Sequence, residues 1–222
     1  MIRLVILGAP GSGKGTHTYK IAKKYNLKHV VVGDAVKAEI RNKTELGKIM
    51  YEYTSVGKFV PTEIVIDVLK KQVEDLKGFD GYIIDTAPIN MEQKAAMKDF
   101  IIDGVIWLKV EHFDMHKERI LNRLMCPNCR RVTTKSKYPN KICPCCGSNL
   151  EERYDDNEET FQKRISQYVE KTLPVVKEYE AEGKVIEIDA EQEKKDVYAE
   201  ICDKLDKFLK NENLMVWTIQ TI

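Results

Sequence analysis

The glycine-rich segment GAPGSGKGT at residues 8–16 constrains the fold of this chain more than any other stretch. It directly follows the apolar run IRLVIL, and its glycines and Lys14 have the spacing G-x-x-x-x-G-K of a phosphate-binding loop. In such a loop, backbone N–H groups bind an anion at the start of a helix, and the lysine reaches the β and γ phosphates. The sequence therefore predicts a nucleoside triphosphate site. The residues expected to form it are Gly11, Ser12, Gly13, Lys14, Gly15 and Thr16.

The sequence predicts the magnesium ligands less directly than it predicts the phosphate-binding loop. Gly15 occupies the position where such loops usually have serine or threonine, and the hydroxyl is displaced to Thr16. Direct ligation of Mg²⁺ by that hydroxyl is thus left open. Asp85 ends the apolar run YIID, a position from which an aspartate organises Mg²⁺ through bound water. We interpret Asp85 as a catalytic residue.

Short β-branched runs alternate with helical periods along the chain. The strand candidates are residues 2–7, 30–32, 82–84, 105–108 and 185–188. This alternation predicts an α/β fold with a doubly wound parallel sheet of about five strands. Ligands of such sheets bind at the carboxyl ends of the strands, where the glycine loop begins.

Two segments interrupt the alternation, and we interpret them as insertions in one core. Residues 34–61 have a helical pattern, whereas residues 125–152 are rich in Cys, Pro, Asn and Lys. The core then comprises residues 1–33, 62–124 and 153–222. The apolar segment NLMVWTIQTI near the C-terminus is too short for a membrane span, and we expect it to pack on the body or on a second subunit.

The second insertion contains two C-x2-C pairs. Cys126 and Cys129 form the first pair, and Cys143 and Cys146 form the second. Four thiolates so spaced can bind Zn²⁺ tetrahedrally, which predicts a structural zinc site. Cys145 is a spare thiol that could replace a ligand. The basic residues of this loop also fit a nucleic-acid zinc ribbon, but aromatic residues for base stacking are few, and we favour a phosphate-facing lid.

Four arginines flank the cysteine-rich insertion. Arg119 and Arg123 precede it with i, i+4 spacing, which predicts one shared helix face, while Arg153 and Arg164 follow it. Guanidinium groups neutralise charge in phosphoryl transfer, so the set is a candidate catalytic cluster. Asp155 and Asp156 are candidate hinge or pairing carboxylates.

Taken together, these motifs resemble an adenylate kinase with a zinc lid, over essentially the whole chain. The segments that resemble it are GAPGSGKGT, GDAVKAEI, GKFVPTEIV, GYIIDTAP, CPNC with CPCCG, and RYDDNEETFQKRISQY. The resemblance implies reversible transfer of the γ-phosphate of MgATP to AMP, an acceptor-binding insertion at residues 34–61 and a lid that closes over ATP. It places Arg119 near the adenine of ATP, and it implies phosphate contacts from Lys14, Arg123, Arg153 and Arg164. The implied acceptor-binding residues are Lys37, Val60, Gln93, Arg153 and Arg164.

The departures from the family pattern concern the acceptor side. Val32 replaces a hydroxyl residue, Lys37 replaces an arginine, and Thr86 and Ala87 replace glycine and phenylalanine. Ile89 replaces the arginine that clamps the monophosphate. Lys37 keeps the charge but not the bidentate fork of arginine, and Ile89 keeps neither. Gln93 matches the glutamine that recognises adenine.

Three functional hypotheses follow. The first is AMP phosphorylation with weakened acceptor recognition, the second is a kinase for an acceptor without the usual phosphate, and the third is an ATP-binding switch or assembly factor without transfer. The formal net charge of +1 offers no global attraction for nucleic acid or an anionic membrane. We therefore expect nucleotides as partners, with ATP, Mg²⁺ and structural Zn²⁺ as cofactors, and a monomer. The absence of a signal-like N-terminus predicts a cytoplasmic location with reduced cysteines.

Overall fold

The computed structural model describes residues 1–55, 60–129, 131–153 and 156–211, without the side chains at positions 37, 38, 54 and 55. Arg130, Asp155 and the C-terminal segment from residue 212 lie outside the described residues, and so do the expectations for them. The described part contains no helix long and apolar enough to cross a membrane.

A five-stranded parallel sheet forms the centre of the molecule. Its strands are β1 (Ile2–Gly8), β2 (Leu27–Val31), β3 (Gly81–Asp85), β4 (Gly104–Lys109) and, after the two lid strands, β7 (Val185–Asp189). The order across the sheet is β2-β3-β1-β4-β7, and every neighbouring pair is parallel. The α/β fold with five parallel strands is confirmed. The second strand is shifted, because Val32 begins a helix instead of ending the strand.

Helices cover both faces of the sheet. They are α1 (Lys14–Lys24), α2 (Val32–Arg41), α3 (Glu45–Ser55), α4 (Thr62–Glu74), α5 (Met91–Ala96), α6 (Phe113–Leu121), α7 (Glu158–Gln167), α8 (Leu173–Ala181) and α9 (Lys194–Asn211). A π-helical segment, Tyr168–Thr172, joins α7 to α8. Two lid strands, β5 (Arg123–Met125) and β6 (Val132–Thr134), pair antiparallel apart from the main sheet.

The alternating side chains of β1 show why the sheet needs two helical layers. Leu4 and Ile6 are buried with α1 and α9 on one face, whereas Val5 and Leu7 are buried with α4 and α8 on the other. A strand that is apolar on both faces is stable only when each face is covered, which is the usual condition of parallel sheets. The sheet therefore has its carboxyl edge as the open place for a ligand.

Each insertion adds a small core of its own. Val36 of α2, Met50 of α3 and Val68 of α4 are buried together beside the sheet. In the lid, the buried residues are Leu124, Cys126, Cys143 and Leu150. Both clusters are too small to hold a domain alone, so the first depends on packing against α4 and the second needs a further cross-link.

Candidate active site

The phosphate-binding loop lies between β1 and α1, in the strand, loop and helix order that the sequence predicts. Gly11 and Gly13 have φ values of 82° and 92°, in the left-handed region that favours glycine. A Cβ on Gly11 would lie 2.8 Å from the carbonyl oxygen of His116, so there is also no room for a side chain. The glycines therefore permit both the turn and its close contact with α6.

Lys14 is folded back onto its own loop. Its Nζ donates hydrogen bonds to the carbonyl oxygens of Gly8 and Ala9, at 2.6 and 2.9 Å. Burial lowers the pKa of Lys14 to about 8; the nearby Asp85 carboxylate opposes this effect, and the charges of Arg123 and Arg164 add to it. Asp85, Arg123 and Arg164 thus lie close enough to Lys14 to act on its charge.

Asp85 ends β3 and is 6% exposed. Its Oδ1 accepts a hydrogen bond from Thr86 Oγ1 at 2.7 Å, and its Oδ2 lies 3.6 Å from His29 Nε2. Burial alone would raise the pKa of Asp85, but His29, Lys14 and Thr86 together outweigh burial, and the pKa lies below its ordinary value. The carboxylate is therefore ionised at neutral pH, in the form that binds a cation.

The ionised carboxylate of Asp85 lies beside the start of α1 and is of the chemistry that Mg²⁺ binds. A Cβ on Gly15 would lie 3.8 Å from Asp85 Oδ2, and Gly15 leaves this approach open. Mg²⁺ prefers oxygen ligands and retains several of its waters. Asp85 is therefore the residue at this place that could hold Mg²⁺ through the ion's own waters.

Arg123 corrects one expectation from the sequence. Helix α6 ends at Leu121 and Arg123 belongs to β5, so Arg119 and Arg123 do not share a helix face. The reason is a pair formed at long range: Arg123 Nε donates to Asp156 Oδ2 at 2.8 Å, and its Nη2 donates to Asp156 Oδ1. The Asp156 side chain is only 4% exposed. This bidentate pair connects the first lid strand to the segment before α7 and confirms the pairing role of Asp156.

Arg119 lies in the last turn of α6. Its Nη1 lies 3.3 Å from His116 Nδ1. Arg119 also contributes, after burial and Lys137, to lowering the pKa of Lys194 at the start of α9. A cavity of about 210 Å³ opens between lid and core at this place. Its lining residues are Arg131, Val132, Thr133, Thr134, Lys137, Tyr138 and Lys194.

Arg153 and Arg164 follow the cysteine-rich insertion along the chain. Arg153 is half-buried and precedes α7, where its carbonyl accepts the N–H of Asp156 at 3.0 Å. Arg164 is in the last turn of α7, and its charge lowers the pKa of Lys14. Arg164 is therefore gathered with the phosphate loop, while Arg153 adjoins the Arg123–Asp156 pair.

The acceptor-side residues lie around the turn after β3. Gln93 of α5 is buried, and its Oε1 accepts the N–H of Ile89 at 3.0 Å. The carbonyl of Ile89 accepts a hydrogen bond from Thr172 Oγ1 at 2.9 Å. Val60 is half-buried beside α4, and the side chain of Lys37 lies outside the described part. Ile89 thus has a fixed backbone and a side chain without charge.

The four lid cysteines come together as the spacing predicts. The sulfur atoms of Cys126, Cys129, Cys143 and Cys146 all lie within 4.8 Å of one another. Two of the Sγ–Sγ distances are 3.5 Å, close to the roughly 3.8 Å edge of a tetrahedron with Zn–S bonds of about 2.3 Å. The Ser148 hydroxyl and backbone lower the pKa of Cys146 to about 6, which favours the thiolate. The group fits Zn²⁺, and Cys145 is exposed beside it.

Three histidines lie beside the glycine-rich loop or Asp85, and motif spacing alone does not reveal them. His17 and His116 are buried and His29 is half-buried, and each has a ring nitrogen without a hydrogen-bond partner in the described part of the chain. His17 follows the loop motif directly, and His116 lies three residues before Arg119 on one helix. Their proximity to motif residues is the signal that could have identified them.

His17 predicts a specific loss of stability in acid. Burial lowers the pKa of His17 to about 4, and the charges of Lys20 and Lys194 add to the effect. Between pH 6.5 and 4 the unfolded histidine therefore binds a proton that the folded one does not, so stability falls as the pH falls. The free energy of unfolding is measured by urea titration at pH 7.5 and at pH 5, for the parent chain and for His17→Gln. We expect its decrease between the two pH values to be about 2 kcal/mol smaller in His17→Gln than in the parent chain.

The exposed His112 supplies the control for this measurement. Its hydrogen bond to Glu191 raises the pKa of His112, so His112→Gln removes an effect of the opposite sign. If His17→Gln and the parent protein lose the same stability between pH 7.5 and 5, the His17 explanation is wrong.

Comparison with known proteins gives one consistent family. The family model described as adenylate kinase matches residues 6–184. An adenylate kinase of Alkaliphilus oremlandii is 33% identical over 212 residues, covering 92% of this chain and 98% of that protein. The adenylate kinase of Caldicellulosiruptor bescii is 34% identical over 212 residues, with 92% and 99% covered. That of Lachnospira eligens is 35% identical over 208 residues, with 90% and 98% covered.

Proposed function

This chain belongs to the adenylate kinase family, and we propose from that premise that its residues transfer the γ-phosphate of MgATP to AMP through an unaltered donor site and an altered acceptor site. The family makes the chain a phosphotransferase of the nucleoside monophosphate kinase class that uses ATP and Mg²⁺. The assignment of individual residues to steps, the domain boundaries and the zinc ion are the parts that we propose here.

One observation supports the donor assignment above the others. Lys14 folds back onto the carbonyls of its own loop, and Asp85, Arg123 and Arg164, from three other parts of the chain, lie close enough to act on its charge. Phosphoryl transfer needs little covalent chemistry from the protein and depends on positioning and charge neutralisation. Three cations and one carboxylate beside an anion-binding loop supply both.

In the proposed reaction, an acceptor oxygen attacks the γ-phosphorus in line, and the bond to the β,γ-bridging oxygen breaks to release ADP. Lys14 exchanges its contacts with Gly8 and Ala9 for phosphate oxygens. Arg123, Arg153 and Arg164 neutralise the charge that spreads over the transferring group. Arg119 and the cavity lined by Lys194 are the proposed place of the donor base, since Arg119 lies near Lys194.

Two metal ions complete this proposal. Bound Mg²⁺ supplies charge neutralisation for the phosphate oxygens, and Asp85 is the residue that would hold it through water. The lid cysteines would hold Zn²⁺ as a closed structural site, since four sulfurs leave no open position for chemistry. We further propose that residues 34–61 bind the acceptor and that residues 125–152 form a lid that excludes water when closed.

The acceptor site decides between the functional alternatives. Ile89 is without charge at the position expected to clamp the monophosphate, which favours weak binding of AMP or an acceptor without that phosphate. We would measure ADP formation from MgATP with AMP, CMP, UMP, GMP, adenosine and no acceptor, each alone. A rate with AMP well above the blank supports the proposal. A rate only with adenosine supports a phosphate-free acceptor, and a blank-level rate with every acceptor supports an ATP-binding switch.

Ile89→Arg tests the altered clamp directly. Because the N–H and carbonyl of Ile89 are fixed by Gln93 and Thr172, the substitution changes the side chain and not the backbone path. A charge-assisted phosphate contact adds on the order of 1.5 kcal/mol or more, so we expect the KM for AMP to fall at least about tenfold. Ile101→Arg is the control, since Ile101 is exposed before β4 at the opposite edge of the sheet. Unchanged AMP kinetics in Ile89→Arg would contradict the clamp argument.

A further inference from the structure

His116 is a buried histidine with two polar neighbours on one ring nitrogen. It is 0% exposed on α6, and its Nδ1 lies 3.2 Å from the carbonyl oxygen of Gly11 and 3.3 Å from Arg119 Nη1. The first neighbour accepts hydrogen bonds only, whereas the second donates only. Nδ1 can bond to Gly11 when it carries a proton and to Arg119 when it does not, so the two bonds exclude each other.

The other ring nitrogen has no partner in the described ranges that would select one of the two states. His116 Nε2 is buried and has no hydrogen-bond partner in the described ranges of the chain. A buried polar atom without a hydrogen-bond partner destabilises the folded state, and Nε2 is such an atom in both tautomers. The balance between the tautomers is therefore set by Gly11 and Arg119, which are the two ends of the donor site.

We propose that His116 is a positioning residue for the donor nucleotide, which bonds to Arg119 in the resting enzyme and to the Gly11 carbonyl when Arg119 turns to the nucleotide. This inference rests on the proposed donor site and extends it. In the resting state Nε2 carries the proton and Nδ1 accepts from Arg119. With donor bound, Nδ1 carries the proton and donates to Gly11. The ring keeps one proton, which is exchanged between its nitrogens through solvent.

The contact between helix and loop supports a mechanical link. A Cβ on Gly11 would lie 2.8 Å from the His116 carbonyl oxygen and 2.9 Å from the His116 Cβ, so the loop rests directly on this residue. Arg119 is one turn further along the same helix face. When a nucleotide base binds beside Arg119, the hydrogen bond between His116 and the Gly11 carbonyl therefore changes, and this bond holds the turn of the phosphate loop.

Burial keeps the His116 ring neutral at physiological pH. Burial lowers the pKa of His116, the Gly11 carbonyl opposes this, the Arg119 charge adds to the lowering, and Glu191 opposes it from the turn after β7. A neutral ring is required, since a doubly protonated ring could not accept from Arg119. Acid therefore disfavours the resting state and leaves only the bond to Gly11.

The direct test is the tautomer of His116 in the full-length protein. In NMR spectra of ¹⁵N-labelled histidine at pH 7.5, with the His116 signals assigned by their loss in His116→Leu, we expect Nε2–H without ligand and Nδ1–H with saturating MgADP. The same tautomer in both samples overturns the proposal. This measurement needs no turnover, so it separates failure of the proposal from failure of the proposed function, which would appear as no acceptor-dependent ADP from the parent enzyme.

Kinetics of two variants add a second test. His116→Leu removes the polar contact, and we expect the KM for MgATP to rise about tenfold with less than twofold change in the acceptor KM. His116→Asn places an amide at the reach of Nδ1 and should restore the donor KM to within about threefold of the parent value. His112→Gln, at the exposed start of the same helix, is the control and should leave both constants unchanged. An equal rise in both KM values, or no rise in the donor KM of His116→Leu, contradicts the proposal. If His116→Leu does not fold, the signals are assigned in His116→Asn and the tautomer measurement decides.

Discussion

Lys14→Met should abolish most phosphoryl transfer while leaving the protein at least as stable as before. Removal of one preorganised group that stabilises developing charge typically lowers kcat by about 100- to 1,000-fold. Lys14 is the cation closest to the proposed phosphate position, since its Nζ already contacts the loop carbonyls of Gly8 and Ala9. We therefore expect a loss toward the upper end of this range, measured as ADP formation with saturating MgATP and acceptor.

The stability of the same variant follows from the pKa of Lys14. At pH 7 the lysine is protonated in both folded and unfolded chains, and its pKa is lowered by burial to about 8 only in the folded chain. The folded state is thus disfavoured by about 3 kcal/mol, and the uncharged side chain introduced by Lys14→Met would relieve this penalty. Because the two lost hydrogen bonds offset part of this gain, we expect a melting temperature equal to or above that of the parent.

A lysine on the exposed side of the same helix provides the matched control. Lys23→Met removes the same charge in the last turn of α1 and should change neither kcat nor the melting temperature appreciably. Normal turnover in Lys14→Met would refute the donor assignment. A large fall in its melting temperature would instead show that Lys14 supports the fold.

Cys143→Ser should release the lid metal and destabilise the lid. The buried core of the lid comprises Leu124, Cys126, Cys143 and Leu150, too little apolar surface to hold about thirty residues without a cross-link. Structural zinc contributes folding free energy directly. We expect a zinc content near one per chain in the parent and near zero in the variant, with a melting temperature lower by about 5 to 10 °C. The kcat should also fall, because Arg123 and Arg153 adjoin the lid.

Two other cysteines separate metal loss from a general effect of removing a thiol. Cys145→Ser should retain the metal, because the four clustered sulfurs do not include Cys145. Cys202→Ser, on α9 in the core, should do the same. Metal retained by Cys143→Ser but lost by Cys145→Ser would mean that Cys145 is a ligand. Removal of the metal without any fall in melting temperature would disprove a structural role.

The five parallel strands and the end of α6 show which parts of the fold were accessible to sequence reasoning and which were not. Five β-branched runs predict five strands because a strand buried on both faces needs apolar residues at every position. The end of α6 was not accessible in the same way. The i, i+4 spacing of Arg119 and Arg123 is a local pattern, and the pairing of Arg123 with Asp156 and of β5 with β6 overrides it.

The sequence by itself determined the phosphate loop, the parallel α/β sheet and the cysteine cluster, since each depends on residue types at fixed short spacing. Only the tertiary structure decided the partners of charged and titratable side chains. Asp156 lies 33 residues from Arg123, and Gly11 lies 105 residues from His116. Such pairs form where packing brings distant elements together, and the short-range periodicity of a sequence does not show which distant elements pack. The donor site was therefore predictable as a motif, while the contacts that orient Lys14, Asp85 and Arg119 were visible only after folding.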